Sequence, residues 1–456
     1  MKTKIEKKYL EVVKWLYPNL GIKRYFALAV FGIFLIAGGL AVMSFDKTIG
    51  FFEEHFREII YLLTGKTLIS VVPVGIFICL LGILALYIGF KKMLRSMISA
   101  LLPGNEDKVV EVIYSRRQLQ RGPKIVVVGG GTGLSALLRG LKAYTSNLTA
   151  IVTVGDDGGS SGRLRRELGI LPPGDVRNCL VALAEKEDVM EDLFTYRFES
   201  GTLKGHNLGN LFLAGLAARF GDFQKGIEHV GKVFSLKGEV YPSTLAQVTL
   251  EASFEDGRSI NGETAIRSTR GKIKRLRISP ANCKPLPESL QAIEEADLIV
   301  LGPGSLYTSI VPNLLVQGLR DKIASVKAPC VYVCNIMTEP GETDNFTVED
   351  HLRVILEHGG HDLVDAVLAA KEEIPPPVLK RYLAEGAEVV TGDRAAVEKL
   401  GISYYESSFY TGGEVIRHEP EKLAKELLRL LFRLKPMPER IALVDAYLLN
   451  RKLKTL

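Results

Sequence analysis

Cysteine is scarce: the 456 residues hold five. A sparse, odd set excludes a small disulfide-stapled scaffold and fits a reducing compartment. The glycine-rich stretch at Gly129–Gly133 lacks the Gly-Lys-Ser/Thr that closes a Walker loop. No serine elbow and no Cys-His pattern supports nucleophilic catalysis. Cys330 and Cys334 share a strand face, but no second cysteine pair completes a zinc set. His351, His358 and His361 have no carboxylate array beside them. Internal repeats are absent, and Pro375–Pro377 is the only low-complexity stretch. Disorder is excluded by a hydrophobic content of 47%. A uniform basic charge is lacking too. The net +6 divides into +9 for residues 1–124 and −3 for residues 125–456, so the overall sign does not point to a nucleic-acid partner.

The apolar excess is concentrated in two charge-free runs, residues 25–43 and 68–90. About 20 apolar residues cross a bilayer core as a helix, so both qualify as spans. Gly38, Gly39 and Pro73 would weaken a water-soluble helix but are tolerated in a membrane. A signal peptide fits poorly, since no small-residue cleavage site follows the first run. Residues 1–24 carry Lys2, Lys4, Lys7, Lys8, Lys14, Lys23 and Arg24, and Lys91, Lys92 and Arg95 follow the second run. The intervening stretch, 44–67, sets Lys47, Arg57 and Lys66 against Asp46, Glu53, Glu54 and Glu58. The positive-inside rule then puts both termini and the large domain in the cytoplasm, with 44–67 an external loop of the plasma membrane. Residues 91–123 form a link, and 124–456 the domain.

In that domain, apolar runs at 124–128, 148–154, 296–301 and 330–334 each end in a polar, mostly glycine-rich turn. Helical spacing follows three of them. This predicts an α/β fold: a Rossmann-like, doubly wound, mostly parallel sheet with helices on both faces. Ligands in such sheets sit beyond the carboxyl ends of the strands, so all four turns are candidates for one site. Residues 240–278, where β-branched and charged residues alternate with glycines, predict an insertion of antiparallel hairpins. Its basic run (Arg267, Arg270, Lys272, Lys274, Arg275, Arg277) has no interleaved aromatics and reads as a solvated face.

Gly130, Gly131, Thr132 and Gly133 lie between strand and helix, where backbone N–H groups can approach a phosphate. From Gly131 the string reads Gly-x-Gly-x-x-Ala136, with Asp156 in the place of a ribose-binding acid. A tight βα turn explains the glycines equally. The next loop, Asp156-Asp157-Gly158-Gly159-Ser160-Ser161 with Arg163, is less easily explained by a dinucleotide site. Two carboxylates can hold Mg²⁺ against a diphosphate, while hydroxyls, N–H groups and an arginine ligate its oxygens. A turn followed by a basic helix, with Arg165 and Arg166 in solvent, is the plain alternative. Asp175 reads as an N-cap, leaving Arg177 and Asn178 open. His206, Asn207 and Asn210 precede an apolar helix; His206 is either an acid/base and phosphate donor or a structural histidine. Gly304, Ser305, Tyr307 and Thr308 form a second candidate anion cradle, and Asn335 adds a polar group on the same edge.

Together these strings resemble the YvcK/CofD-like family, specifically its bacterial YvcK branch of gluconeogenesis factors. The match is carried by Val127–Leu134, Val152–Leu164, Pro173–Asn178, Leu193–Phe198, Gly205–Asn210, Gly302–Ser309, Asn335–Thr338 and Gly341–Thr343. The resemblance implies binding of a nucleotide-sugar such as UDP-N-acetylglucosamine, and an influence on carbon-source-dependent growth, cell shape and wall synthesis. The related CofD branch is a Mg²⁺-dependent transferase that moves 2-phospholactate from a nucleoside diphosphate to a deazaflavin alcohol. Its metal-holding acids correspond to Asp156 and Asp157, and a transferase would use Asp156, Asp157 and His206. Gly155 and Glu339 stand where alanine and glutamine are more usual, and the membrane hairpin is an addition to most such chains. The loop 302–309 follows the YvcK pattern rather than the Gly-Pro-Ser-Asn type of the transferase branch. A membrane-tethered nucleotide-sugar regulator is therefore the leading expectation, with a phospho-group transferase as the alternative. A regulatory protein partner and a homo-oligomer stay open.

Overall fold

The computed structural model describes residues 22–43, 58–59, 61–62, 72–101, 109–371, 374–410, 412–413 and 415–435. Most of the basic stretch 1–24, most of the loop 44–67, the start of the second apolar run and residues 102–108 of the link lie outside the described residues. Two compact units divide the chain, residues 1–115 and 116–456.

The first unit contains α1 (Ile22–Met43) and α2 (Val72–Leu101). At 1.5 Å per residue these reach about 33 and 45 Å, against about 30 Å for a bilayer core. Both are long and apolar enough to cross a membrane. The second continues past Phe90, so the first part of the expected link is helical. The helices touch along glycines seven residues apart. A Cβ on Gly32 would lie 2.6 Å from the Gly82 carbonyl oxygen, and one on Gly39 would lie 2.7 Å from that of Gly75. Only hydrogen admits such backbone contact, the packing that membrane helices use where no hydrophobic force draws them together. The faces turned outward carry Phe31, Phe34, Phe77 and Leu80, all exposed.

A third helix, α3 (Val109–Gln120), leads into the second unit, where Ser146 N and Asn147 Nδ2 donate to its last carbonyls at 3.0 and 2.9 Å. Then follow β1 (Ile125–Gly129), α4 (Gly131–Leu141), β2 (Leu148–Val152), α5 (Gly159–Leu168), α6 (Gly174–Leu183), α7 (Glu187–Thr195), α8 (Leu208–Phe220), α9 (Phe223–Phe234) and β3 (Glu239–Pro242). The insertion consists of β4 (Thr249–Phe254), β5 (Ser259–Asn261), α10 (Glu263–Ser268) and β6 (Ile273–Ser279). β7 (Leu298–Leu301), β8 (Cys330–Val333), β9 (Ala366–Ala370) and β10 (Ser403–Ser407) complete the strands described.

Seven strands form one sheet in the order β10-β9-β8-β7-β1-β2-β3, and every neighbouring pair is parallel. β1, β2, β7 and β8 are buried along their whole length, as strands covered on both faces must be. These are the four apolar runs of the sequence, and they lie side by side. One expectation is corrected at β3. Residues 239–242 do not join the antiparallel insertion but pair in parallel with β2 at the sheet edge. An edge strand alternates buried and exposed residues just as a hairpin does, so the pattern alone could not separate them. Among the described residues, β5-β4-β6 forms a separate antiparallel sheet.

Candidate functional site

From β1 the chain winds outward through β2 to β3, and from β7 it winds the other way to β10. The loops leaving β1 and β7 therefore diverge, and the crevice between them is where open α/β sheets place ligands. A cavity of about 270 Å³ lies there, lined among others by Gly131, Thr132, Gly133, Gly304, Ser305 and Asn335. Six residues singled out in the sequence thus meet in one place.

The glycines are required for different reasons. Gly131 has a φ of 68°, a left-handed backbone in which side chains are strained. At Gly130 a Cβ would stand 2.6 Å from Asp175 Oδ2 and 2.7 Å from Thr153 Cγ2. Across the crevice, Asn335 Nδ2 donates to the Gly304 carbonyl at 3.0 Å and to Glu339 Oε1 at 3.2 Å, while Ser305 Oγ donates to Glu339 Oε2. Tyr307 and Thr308 behave differently from the rest of that cradle. Both are buried: the Tyr307 hydroxyl donates to the Ile273 carbonyl at 3.3 Å, and Thr308 Oγ1 to Glu342 Oε1 at 3.1 Å.

On the other side of Gly131, four helices begin together. Asp175, in the first turn of α6, turns its carboxylate toward Gly130 and Gly131, where α4 opens. Ser160, in the first turn of α5, lies 3.1 Å from His206 Nδ1 and accepts from Asn207 N at 3.4 Å, and Asn207 caps α8. Four N-termini therefore bring partial positive charge to one region, the start of α8 being capped by Asn207. Gly158 N donates to Asp156 Oδ1 at 2.9 Å, and Gly159 turns the chain into α5 with a φ of 49°. Arg163 Nη1 donates to the Lys204 carbonyl at 3.1 Å, bracing the turn that delivers His206. Asn178 and Asn210 converge on Arg177, whose Nη2 and Nη1 donate to their side-chain oxygens at 2.7 and 2.8 Å. Ser161 is buried, its hydroxyl close to Gly174 at the start of α6. His206 is held below its ordinary pKa by burial and by Arg163, which favours the neutral ring.

Asp175 is not the N-cap the sequence predicts. Pro173 occupies that position and the Asp175 carboxylate turns into the site. Burial, then the neighbouring Asp156, push Asp175 up to about 6. Glu263 on α10 is pushed up to about 8 by burial and by Asp156 and Asp175, and Glu342 up to about 7 by burial and Glu339. Arg267 stands 3.8 Å from Glu263 and 3.7 Å from Glu342. Asp157 is already engaged: its Oδ1 accepts from Thr264 N at 2.9 Å and Thr264 Oγ1 at 2.6 Å, pinning α10 to the loop. Among the described residues no three His, Cys, Asp or Glu side chains are arranged to hold a metal ion. Asp156 and Asp175 repel the charge on Glu263, and carboxylate oxygens suit a hard cation such as Mg²⁺.

Several residues of this region escape local sequence patterns. Glu263 and Arg267 come from the insertion, and Tyr382, Arg417 and His418 line the crevice from beyond β9. His418 is buried, its Nε2–H donates to the Cys334 carbonyl at 3.1 Å, and burial depresses it to about 4.

Comparison with known proteins gives the same assignment. The sequence profile of the family described as 2-phospho-L-lactate transferase CofD matches residues 125–410. A gluconeogenesis factor of Bacillus subtilis is 47% identical over 311 residues, 68% of this chain and 98% of its own. A Nostoc sp. protein described as a "Putative gluconeogenesis factor" is 45% identical over 425 residues, covering 91% of this chain and 92% of its own. The crystal structure of a upf0052-family protein from Bacillus halodurans superposes with a TM-score of 0.65 at 48% identity, covering 67% of this chain and 99% of that one. The Nostoc match extends into the first 123 residues, so the N-terminal segment is an addition only relative to the shorter relatives. The chain is a member of the CofD family, in the branch whose members are called gluconeogenesis factors.

Proposed function

We propose that the domain binds a nucleotide-sugar of the UDP-N-acetylglucosamine type, and that the α1–α2 hairpin tethers it to the cytoplasmic face of the plasma membrane. There it regulates wall precursor use and carbon metabolism during gluconeogenic growth. The observation that carries the ligand reading is the convergence of four helix N-termini on the point where the sheet reverses its winding. A cavity of about 270 Å³ is below the usual volume of a site enclosing a whole ligand. The ligand therefore extends from the crevice across Gly131 toward Ser160 and Asp156, with its diphosphate over the helix starts. Mg²⁺ bound with the diphosphate would be held by Asp156, with Asp175 and Glu263 beside it, and would neutralise charge there. Asp157 contributes by fixing α10.

A second reading, transfer of a phospho-group from a nucleoside diphosphate, is favoured by the family described as a transferase and by the raised carboxylates Asp175 and Glu263. Incubation of residues 116–456 with labelled UDP-sugar, Mg²⁺ and a cell extract separates the two. Binding without consumption supports the regulator; release of UMP or a labelled conjugate supports the enzyme. Tethering and orientation are tested together by protease added outside intact cells. Cleavage confined to residues 44–67 is expected, and digestion of residues 124–456 would contradict the orientation.

A further inference from the structure

We infer that the end of the hairpin carrying Lys23, Arg24, Lys91, Lys92 and Arg95 is a preformed binding surface for anionic phospholipid headgroups. The inference rests on the tethering proposed above. Within the described parts of α1 and α2 there are five cations and no carboxylate. All five lie at one end, because α1 begins where the apolar part of α2 finishes. Close packing fixes that end: a Cβ on Gly89 would stand 2.7 Å from Ala29 N and 2.8 Å from the Tyr25 carbonyl oxygen. Consequently Lys92 of α2 reaches over the Tyr25 ring of α1, 5.7 Å from its centroid. Lys91 lies 5.8 Å from the ring of Tyr87 one turn earlier. Tyr87 and Phe90 are exposed at the same level.

Aromatic rings at the headgroup level with ammonium groups just beyond them form an interfacial belt. Here both helices contribute to it, so the cations are gathered before any lipid arrives. Charge repulsion among Lys23, Arg24, Lys91 and Lys92 costs least where phosphates intervene, and each basic group near an anionic leaflet adds to the attraction. α2 runs on to Leu101 with Leu94 exposed, giving the lipid boundary an apolar contact beyond Arg95. A headgroup phosphate bridging Arg24 and Lys92 would tie the two helix ends together.

The test uses the full chain reconstituted in phosphatidylcholine vesicles with spin-labelled phosphatidylglycerol or spin-labelled phosphatidylcholine as the probe. The motionally restricted fraction of each is measured. Wild type is expected to restrict the anionic probe at least about threefold more than the zwitterionic one, less so at high salt, where charges are screened. Lys91→Gln/Lys92→Gln/Arg95→Gln should lose most of the preference, and the matching variant Lys91→Arg/Lys92→Arg should keep it. Carbonate extraction of the same vesicles reads the tether separately. A wild-type chain extracted by carbonate removes the tethering itself. An integral chain with equal restriction of both probes, or an unchanged preference in the glutamine variant, overturns the lipid surface alone.

Discussion

The two ends of the parallel sheet carry cavities of unequal size, and the larger is at the end with less binding chemistry. At the N-terminal ends of β1, β2 and β3 a cavity of about 560 Å³ opens beside Asn147, Glu239 and Glu288, twice the volume of the crevice at the C-terminal ends. Several of its polar groups already have partners within the fold: Lys124 pairs with Glu295, the Tyr241 hydroxyl donates to Glu239 at 2.8 Å, and Asn147 holds the carbonyls of Gln120 and Gly122. α4 ends toward that edge, whereas α4, α5, α6 and α8 all begin at the other. Volume is a poor guide to an anion site; the direction of the chain is a better one, because strand and helix polarity decide where N–H groups are left unpaired.

The sharpest way to break this comparison is one substitution at each end. Gly131→Val places a β-branched residue at a φ of 68°, at a cost of roughly 1–2 kcal/mol, and stiffens the backbone over which the diphosphate is proposed to lie. Wild-type residues 116–456 should gain about 2.7 kcal/mol of stability at a nucleotide-sugar concentration near 100 times Kd. Thermal unfolding should show that gain abolished in Gly131→Val and intact in Glu288→Gln at the opposite end. The reverse pattern would move the site.

A next effect separates the two ends by pH. Asp175, Glu342 and Glu263 have folded pKa values near 6, 7 and 8, all above their unfolded values. The folded state therefore binds more protons than the unfolded state between about pH 4 and 8, so ligand-free stability falls as pH rises through that window. Glu263→Gln should flatten the upper part of the fall and raise stability at pH 8, by on the order of 1 kcal/mol or more. Urea titrations at pH 5 and pH 8 measure this, and an unchanged pH slope would show that Glu263 is not held in its raised state.

The smallest effect concerns Asp157→Asn. Because Asp157 binds Thr264 and so caps α10 from outside, the apo domain should weaken by about 1 kcal/mol while any Mg²⁺-dependent ligand stabilisation largely survives. Loss of the Mg²⁺-dependent part alone, with apo stability unchanged, would instead make Asp157 a metal ligand.

Much of the sheet was legible because β1, β2, β7 and β8 are buried on both faces and read as unbroken apolar runs. The turns after them were legible for the same reason, since polarity and glycine return abruptly where the strand leaves the core. What stayed hidden depended on distant partners. An aspartate beside a helix start looks like a cap, and nothing near Asp175 announces that Pro173 takes the cap while the carboxylate turns toward Gly130 and Gly131. Thr264 lies 107 residues from Asp157, so their contact leaves no local pattern. Tyr307 and Thr308 fit a hydroxyl-rich cradle in sequence, yet Ile273 and Glu342 draw their side chains inward. α2 outruns its apolar stretch because Leu94, Met97 and Ile98 keep helical spacing beyond Lys91 and Lys92.

Amide hydrogen exchange of residues 116–456, with and without UDP-N-acetylglucosamine and Mg²⁺, tests the placement of the site most directly. Slowed exchange is expected at Gly130–Gly133 and Gly158–Ser161, with Asn147–Thr149 and Gly238–Glu239 unchanged. Protection at the N-terminal end of the sheet, or none anywhere at saturating ligand, would contradict it.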